Sequence, residues 1–168
     1  ISYYISLYDK WSQYIPEEKA VMIAYASVYG NTENAAEILS CRLREKGIKT
    51  VMFDVSVTPA SNIVSEAFRY SHFVFASTTY NAGIFVNMES LIHDLVAHNI
   101  QNRYVAIIEN GSWAATSGKL IRAEFEKCKN ITFIENMVCL KSSLKPSQLV
   151  EIDAMVSAIV DTMPNISI

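Results

Sequence analysis

From Ala20 onward, short apolar runs alternate with longer stretches whose apolar residues recur every three or four positions. The runs have strand length and the amphipathic stretches helix length, so the pattern predicts a regular alternation of strands and helices. "AVMIAYA" reads as strand one and "NAAEILSCRLREKG" as its helix, closed by Gly47 where a helix end favours glycine. "IKTVMFDV" is strand two, after which Pro59 opens a short helix running to about Tyr70. "HFVFAS" and "VNMESLIHDLVAHNI" form the third pair, and "RYVAIIE" and "TSGKLIRAEFEKCK" the fourth. "ITFIENMVCLKS" is strand five, and Pro146 stands where the last helix, "SQLVEIDAMVSAIVDTM", should begin. Upstream, "ISYYISLYDKWSQYI" spaces Tyr4, Leu7, Tyr8, Trp11, Tyr14 and Ile15 by threes and fours, an amphipathic helix with an aromatic stripe that Pro16 ends. Two readings of that helix stand open: packing on its own domain, or contact with a domain that precedes it.

Strands one, three and four are nearly continuous apolar runs, as expected of a sheet covered on both faces, and the intervening helices are long enough for right-handed crossovers. The predicted fold is therefore α/β, a three-layer, doubly wound, five-stranded parallel sheet. Ligands of such sheets bind beyond the carboxyl ends of the strands. Three loops leave from that edge: "SVYGNT" after strand one, "STTYNAGIF" after strand three and "NGSWAATS" after strand four. The first is neither a GxxxxGK[ST] nor a GxGxxG sequence, which disfavours a nucleoside triphosphate or a dinucleotide. It fits a compact phosphate monoester held by the hydroxyls of Ser27 and Thr32, the Asn31 amide and backbone N–H groups from Val28 to Thr32, without a lysine or arginine. Ser, Asn and Thr also serve as ordinary helix caps, so capping alone is the competing reading. Tyr80 and Trp113 are open to two readings as well, as core residues with polar tips or as walls of a slot for a planar ring.

Composition narrows the setting. The 168 residues suit one domain; hydrophobic residues make up 51% and charged ones 18%, and no apolar run reaches membrane-spanning length. A net charge of −3, with no basic cluster, argues against a nucleic-acid partner. Cys41, Cys128 and Cys139 show no metal-ligand or CxxC spacing, which points to a reducing, cytoplasmic compartment. His72, His93 and His98 read as structural or solvent-facing. The opening residues lack signal-peptide features, and a start at Ile1 reads as a piece of a longer protein.

The S-x-x-G-N-T pattern of "SVYGNT" resembles the phosphate loop of flavodoxins. "TYNAG" with the downstream "MESL", and "ENGSWA" with its following helix, resemble the flavodoxin domain of flavodiiron proteins, or A-type flavoproteins. The likeness runs from about Val21 to Met163, and "YDKW" resembles the connector from the upstream domain of that family. It implies a flavodoxin-like sheet of order 2-1-3-4-5, a connector helix at 1–18 and an FMN-binding domain at 19–168. It also implies FMN as cofactor. Ser27, Val28, Tyr29, Gly30, Asn31 and Thr32 would line the phosphate. Thr78, Thr79, Tyr80, Asn81, Ala82 and Gly83 would border the ring and ribityl chain, and Asn110, Gly111, Ser112 and Trp113 would close the other side. A small residue, Ala82 or Gly83, would let a backbone group turn toward the flavin N5. Two positions depart from the family, which usually has proline at Thr78 and often at Val86.

By resemblance, electrons would pass from rubredoxin or a flavin reductase through FMN to a diiron centre on an upstream metallo-β-lactamase-like domain, which reduces oxygen or nitric oxide. With three histidines and no H-x-E-x-D-H run, this chain would supply only the relay. A homodimer is among the assemblies the resemblance allows. Alternatives are a stand-alone FMN-dependent NAD(P)H:quinone reductase and a cofactor-free α/β interaction domain of response-regulator type. The latter fits poorly, since "IAYASV" and "FASTTY" contain no carboxylate.

Overall fold

A computed structural model describes residues 2–165. Helix α1 (Ser2–Ser12) precedes an alternation of β1 (Glu18–Ala26), α2 (Asn31–Glu45), β2 (Thr50–Asp54), α3 (Ala60–Ala67) and β3 (Tyr70–Tyr80). Then come β4 (Gly83–Ile84), α4 (Val86–Ala97), β5 (Arg103–Asn110), α5 (Ser117–Phe125), β6 (Ile131–Phe133), β7 (Val138–Leu140) and α6 (Leu149–Thr162). The main sheet runs β2-β1-β3-β5-β6 with parallel pairing throughout, which is the expected order 2-1-3-4-5 once β4 is set aside.

Alternation along β1 shows why both faces are covered. Ala20, Met22, Ala24 and Ala26 enter the core beneath α3, α4 and α5, whereas Val21 and Ile23 enter the core beneath α2 and α6. Helix α2 ends as its sequence predicts. Gly47 (φ 77°) follows the cap, its N–H donates to the Arg44 carbonyl at 2.8 Å, and the Ile48 N–H reaches the Leu43 carbonyl at 3.0 Å.

Four boundaries differ from the sequence reading. Strand five is two pieces, β6 and β7, both paired with β5; between them Glu135 turns outward into a two-pronged contact with Arg122 at 2.9 and 3.0 Å. Strand three extends to Tyr80, so Thr78, Thr79 and Tyr80 lie in a strand and not in a loop. Register pairing of Thr78 with Asn110, and an antiparallel hairpin to β4, carry it that far, as suits β-branched threonines. Pro146 opens a short 3-10 turn (Pro146–Gln148), and α6 begins at Leu149.

The fourth difference is α1, which stops at Ser12 without help from Pro16. Tyr14 takes a left-handed conformation (φ 54°), and the Ile15 N–H donates to the Lys10 carbonyl at 2.9 Å, closing the helix on itself. The segment after it is fixed to the amino edge of the sheet. The buried Arg103 guanidinium donates to the Tyr14 carbonyl at 2.7 Å and also to the carbonyls of Gln101 and Phe68, while the Tyr14 ring stacks on Phe68. Helix α1 itself buries no residue, and Tyr3, Tyr4, Ile5 and Tyr8 are exposed. Among the described residues no helix is long and apolar enough to cross a membrane.

Candidate functional site

The carboxyl ends of β1, β3, β5 and β7 converge on a cavity of about 270 Å³. Ser27, Val28, Tyr29, Asn31 and Thr32 line it from the first loop, Thr78, Thr79 and Tyr80 from β3, and Asn110, Gly111 and Ser112 from the third loop. Ser142, beyond β7, completes the lining. A second cavity of about 320 Å³ shares Thr79, Gly111 and Ser112 with the first and adds Ala82, Trp113 and Ala114. Gly30, Asn81 and Gly83, three residues expected at the site, line neither one. Gly30 instead supplies geometry. It is the N-cap of α2 in a left-handed conformation (φ 82°) and offers no side chain to cap the helix.

The result is an uncapped helix N-terminus facing a cavity. The amides from Val28 to Thr32 donate to no carbonyl or side chain among the described residues. Beside them, the Ser27 hydroxyl oxygen is buried without a hydrogen-bond partner, alone in this among the described side chains. A buried hydroxyl left unpaired costs about 1–3 kcal/mol, so its orphaned state fits an acceptor or donor that occupies the cavity. The Thr32 hydroxyl, by contrast, is engaged at 3.0 Å by Thr78 and at 3.2 Å by the Asn110 amide.

Asn110 and Ser142 hold the rest of the rim. The Asn110 side chain donates to the Ser142 carbonyl at 2.8 Å and accepts the Ser142 N–H at 3.0 Å, and Asn31 Nδ2 donates to the Ser142 hydroxyl at 3.2 Å. Ser142 was not expected from the sequence. The only available signal is that its loop also leaves the carboxyl edge of the sheet, and nothing in "LKSSLKP" marks its left-handed residue (φ 75°). The aromatics are rim residues, not core: Tyr80 is half exposed, Trp113 fully exposed and Tyr29 nearly so. No lysine or arginine lines either cavity, so an anion there rests on neutral donors and the positive end of α2.

A model of the flavodoxin family matches residues 23–130. The chain belongs to the flavodoxin family. Flavodoxins carry FMN, and an uncapped helix N-terminus with an orphaned serine hydroxyl next to an aromatic-rimmed second cavity suits a ribityl phosphate joined to a flat ring. A nitric oxide reductase of Moorella thermoacetica is 25% identical over 125 residues, which are 74% of this chain and 31% of that protein. Among solved structures, rubredoxin oxygen:oxidoreductase of Desulfovibrio gigas superposes with a TM-score of 0.87 at 19% identity, over 94% of this chain and 39% of that one. The flavodiiron protein of Giardia intestinalis gives a TM-score of 0.86 at 19% identity, over 98% of this flavodoxin-family chain and 42% of its own. The chain thus spans well under half the length of each of these relatives.

Proposed function

We propose that this flavodoxin-family chain is the FMN-binding electron-transfer domain of a flavodiiron-type oxidoreductase, delivering electrons to a diiron centre on a separate metallo-β-lactamase-like domain that reduces oxygen or nitric oxide. The observation that carries the cofactor assignment is the orphaned Ser27 hydroxyl beside the uncapped N-terminus of α2. When bound, FMN supplies the redox chemistry, and the protein sets its position and surroundings. Ser27, Asn31, Thr32 and the amides from Val28 to Thr32 hold the phosphate. Thr78, Thr79, Asn110, Gly111 and Ser112 border the ribityl chain and ring, with Ser142 bracing Asn31 and Asn110, and Tyr80 and Trp113 flank the ring from the rim. No general base or covalent nucleophile is required of these residues.

The relay role draws support from the relatives, which are named as nitric oxide reductase, rubredoxin oxygen:oxidoreductase and flavodiiron protein. It also draws on α1, whose exposed tyrosines ride on a segment locked to the domain by Arg103. In this reading residues 1–18 connect to an upstream diiron domain and residues 19–168 form the flavin domain. The donor is rubredoxin or a flavin reductase, the compartment is cytoplasmic, and two chains pair so that the flavin of one faces the diiron site of the other.

Stopped-flow mixing of the FMN-loaded chain with reduced rubredoxin, and separately with NADH plus a quinone, tests the relay. Fast flavin reduction by rubredoxin, with negligible quinone turnover, is the expected result. Steady NADH-driven quinone reduction by this chain alone would make it a quinone reductase.

A further inference from the structure

Thr32, Thr78 and Asn110 line the first cavity and form a chain of hydrogen bonds whose direction is fixed. A threonine hydroxyl has one hydrogen to donate and two lone pairs with which to accept. Thr78 spends its hydrogen on the Ala26 carbonyl, at 3.2 Å. Between the Thr32 and Thr78 hydroxyls, 3.0 Å apart, the donor is therefore Thr32. The Thr32 oxygen accepts in turn from the Asn110 amide at 3.2 Å. Donation thus runs one way, from Asn110 through Thr32 and Thr78 into the carbonyl at the end of β1, and the buried Thr32 hydroxyl keeps no proton for a ligand.

Ser142 is in the opposite state. The Asn110 side chain takes both its N–H, at 3.0 Å, and its carbonyl, at 2.8 Å, and its hydroxyl oxygen accepts from Asn31 Nδ2 at 3.2 Å. That hydroxyl donates to nothing among the described residues, so its hydrogen is free, and Ser142 lines the same cavity as Ser27. The residue also holds a left-handed conformation (φ 75°), which costs a side chain strain and glycine none. Glycine would make both backbone bonds to Asn110 equally well. What serine adds at this strained position is a hydroxyl at the rim of the site.

We propose that Ser142 is a phosphate ligand of the FMN site, donating its hydroxyl proton beside Ser27 from a fourth loop, whereas Thr32, its own proton held by Thr78, contributes only its backbone amide. The inference rests on the FMN assignment above. Thr78 is then a positioning residue that acts through Thr32. Riboflavin lacks the phosphate, so the ratio of its dissociation constant to that of FMN isolates the phosphate contacts. In fluorescence titrations of the flavin-free chain, Ser142→Ala and Ser142→Gly should each lower this ratio about fivefold or more, as loss of a hydrogen bond to a charged group implies. Ser142→Gly should unfold at no lower urea concentration than wild type, because relief of the left-handed strain offsets the added freedom of the unfolded chain. Thr78→Val keeps the β-branched shape of the strand and frees the Thr32 proton, and should raise the ratio about threefold or more. A wild-type ratio in both Ser142 variants, or a fall seen only where the urea midpoint falls with it, would make Ser142 a structural residue and overturn the proposal. A ratio in Thr78→Val at or below the wild-type value would overturn it as well. A wild-type chain that binds neither flavin, or both equally, would instead refute the FMN phosphate assignment on which it rests.

Discussion

Replacing His72 with phenylalanine should remove a measurable part of the acid sensitivity of the fold. His72 lies in the central strand, 1% exposed, stacked on Tyr104 with ring centroids 4.7 Å apart. Its Nδ1 meets the Ser71 hydroxyl at 2.9 Å and its Nε2 the Thr162 hydroxyl at 2.9 Å, tying β3 to the end of α6. Burial lowers its pKa from 6.5 to about 4, so the folded protein keeps the ring neutral where the unfolded chain would protonate it. Between those two values the unfolded state binds more protons, so stability is full above pH 6.5, falls as the pH drops toward 4, and then levels off. At pH 5 the difference is about 1.5 pH units from the unfolded pKa, or about 2 kcal/mol of destabilisation.

Phenylalanine keeps the stack on Tyr104. Ser71 and Thr162 retain backbone acceptors in the carbonyls of Ala20 and Ile159, so the variant should lose only about 1 kcal/mol at pH 7. Urea unfolding at pH 7 and pH 5 checks this. The wild-type protein should lose about 2 kcal/mol more than His72→Phe between the two conditions, making the variant the more stable of the pair at pH 5. Equal losses in the two proteins would refute the assignment of a neutral, desolvated His72.

Three other substitutions probe the scaffold. Arg103→Met removes short donations to the carbonyls of Tyr14, Gln101 and Phe68. Those carbonyls lose their donor, so a loss of about 1–3 kcal/mol in chemical unfolding is expected, with faster proteolysis after α1. Val86→Pro places proline at the first position of α4, after a residue already at φ −57° and ψ 133°, and should raise stability by about 0.4–1 kcal/mol in thermal unfolding. Gly30→Ala meets no atom within 4 Å but must hold φ 82°, and should cost about 1–2 kcal/mol by the same measurement.

The apolar runs made the layered sheet legible because a strand covered on both faces, such as "VMIAYA", has no polar position to disguise it. Gly47 marked the end of α2 for an equally local reason. What could not be read depends on contacts distant in sequence. The break between β6 and β7 falls where Glu135 turns outward to meet Arg122, and the extension of β3 to Tyr80 goes with its pairing to Asn110 and Ile84. At the site, the first loop was legible as a strand-to-helix turn rich in hydroxyls and amides. Ser142 was not, because its place at the rim is created by Asn31 and Asn110 reaching across from other loops. Asn81 and Gly83 carried the right composition but shape the hairpin without lining a cavity.

The most direct test of the central claim is a visible absorption and fluorescence titration of the chain with FMN, run beside Ser27→Ala. The wild-type protein should retain flavin through desalting. Ser27→Ala should bind it about tenfold or more weakly, as loss of a hydrogen bond to a charged group implies, while unfolding no more easily than wild type because the hydroxyl it removes has no partner in the fold. A wild-type chain that neither holds FMN nor quenches its fluorescence would contradict the account and return the Ser27 loop to ordinary turn chemistry.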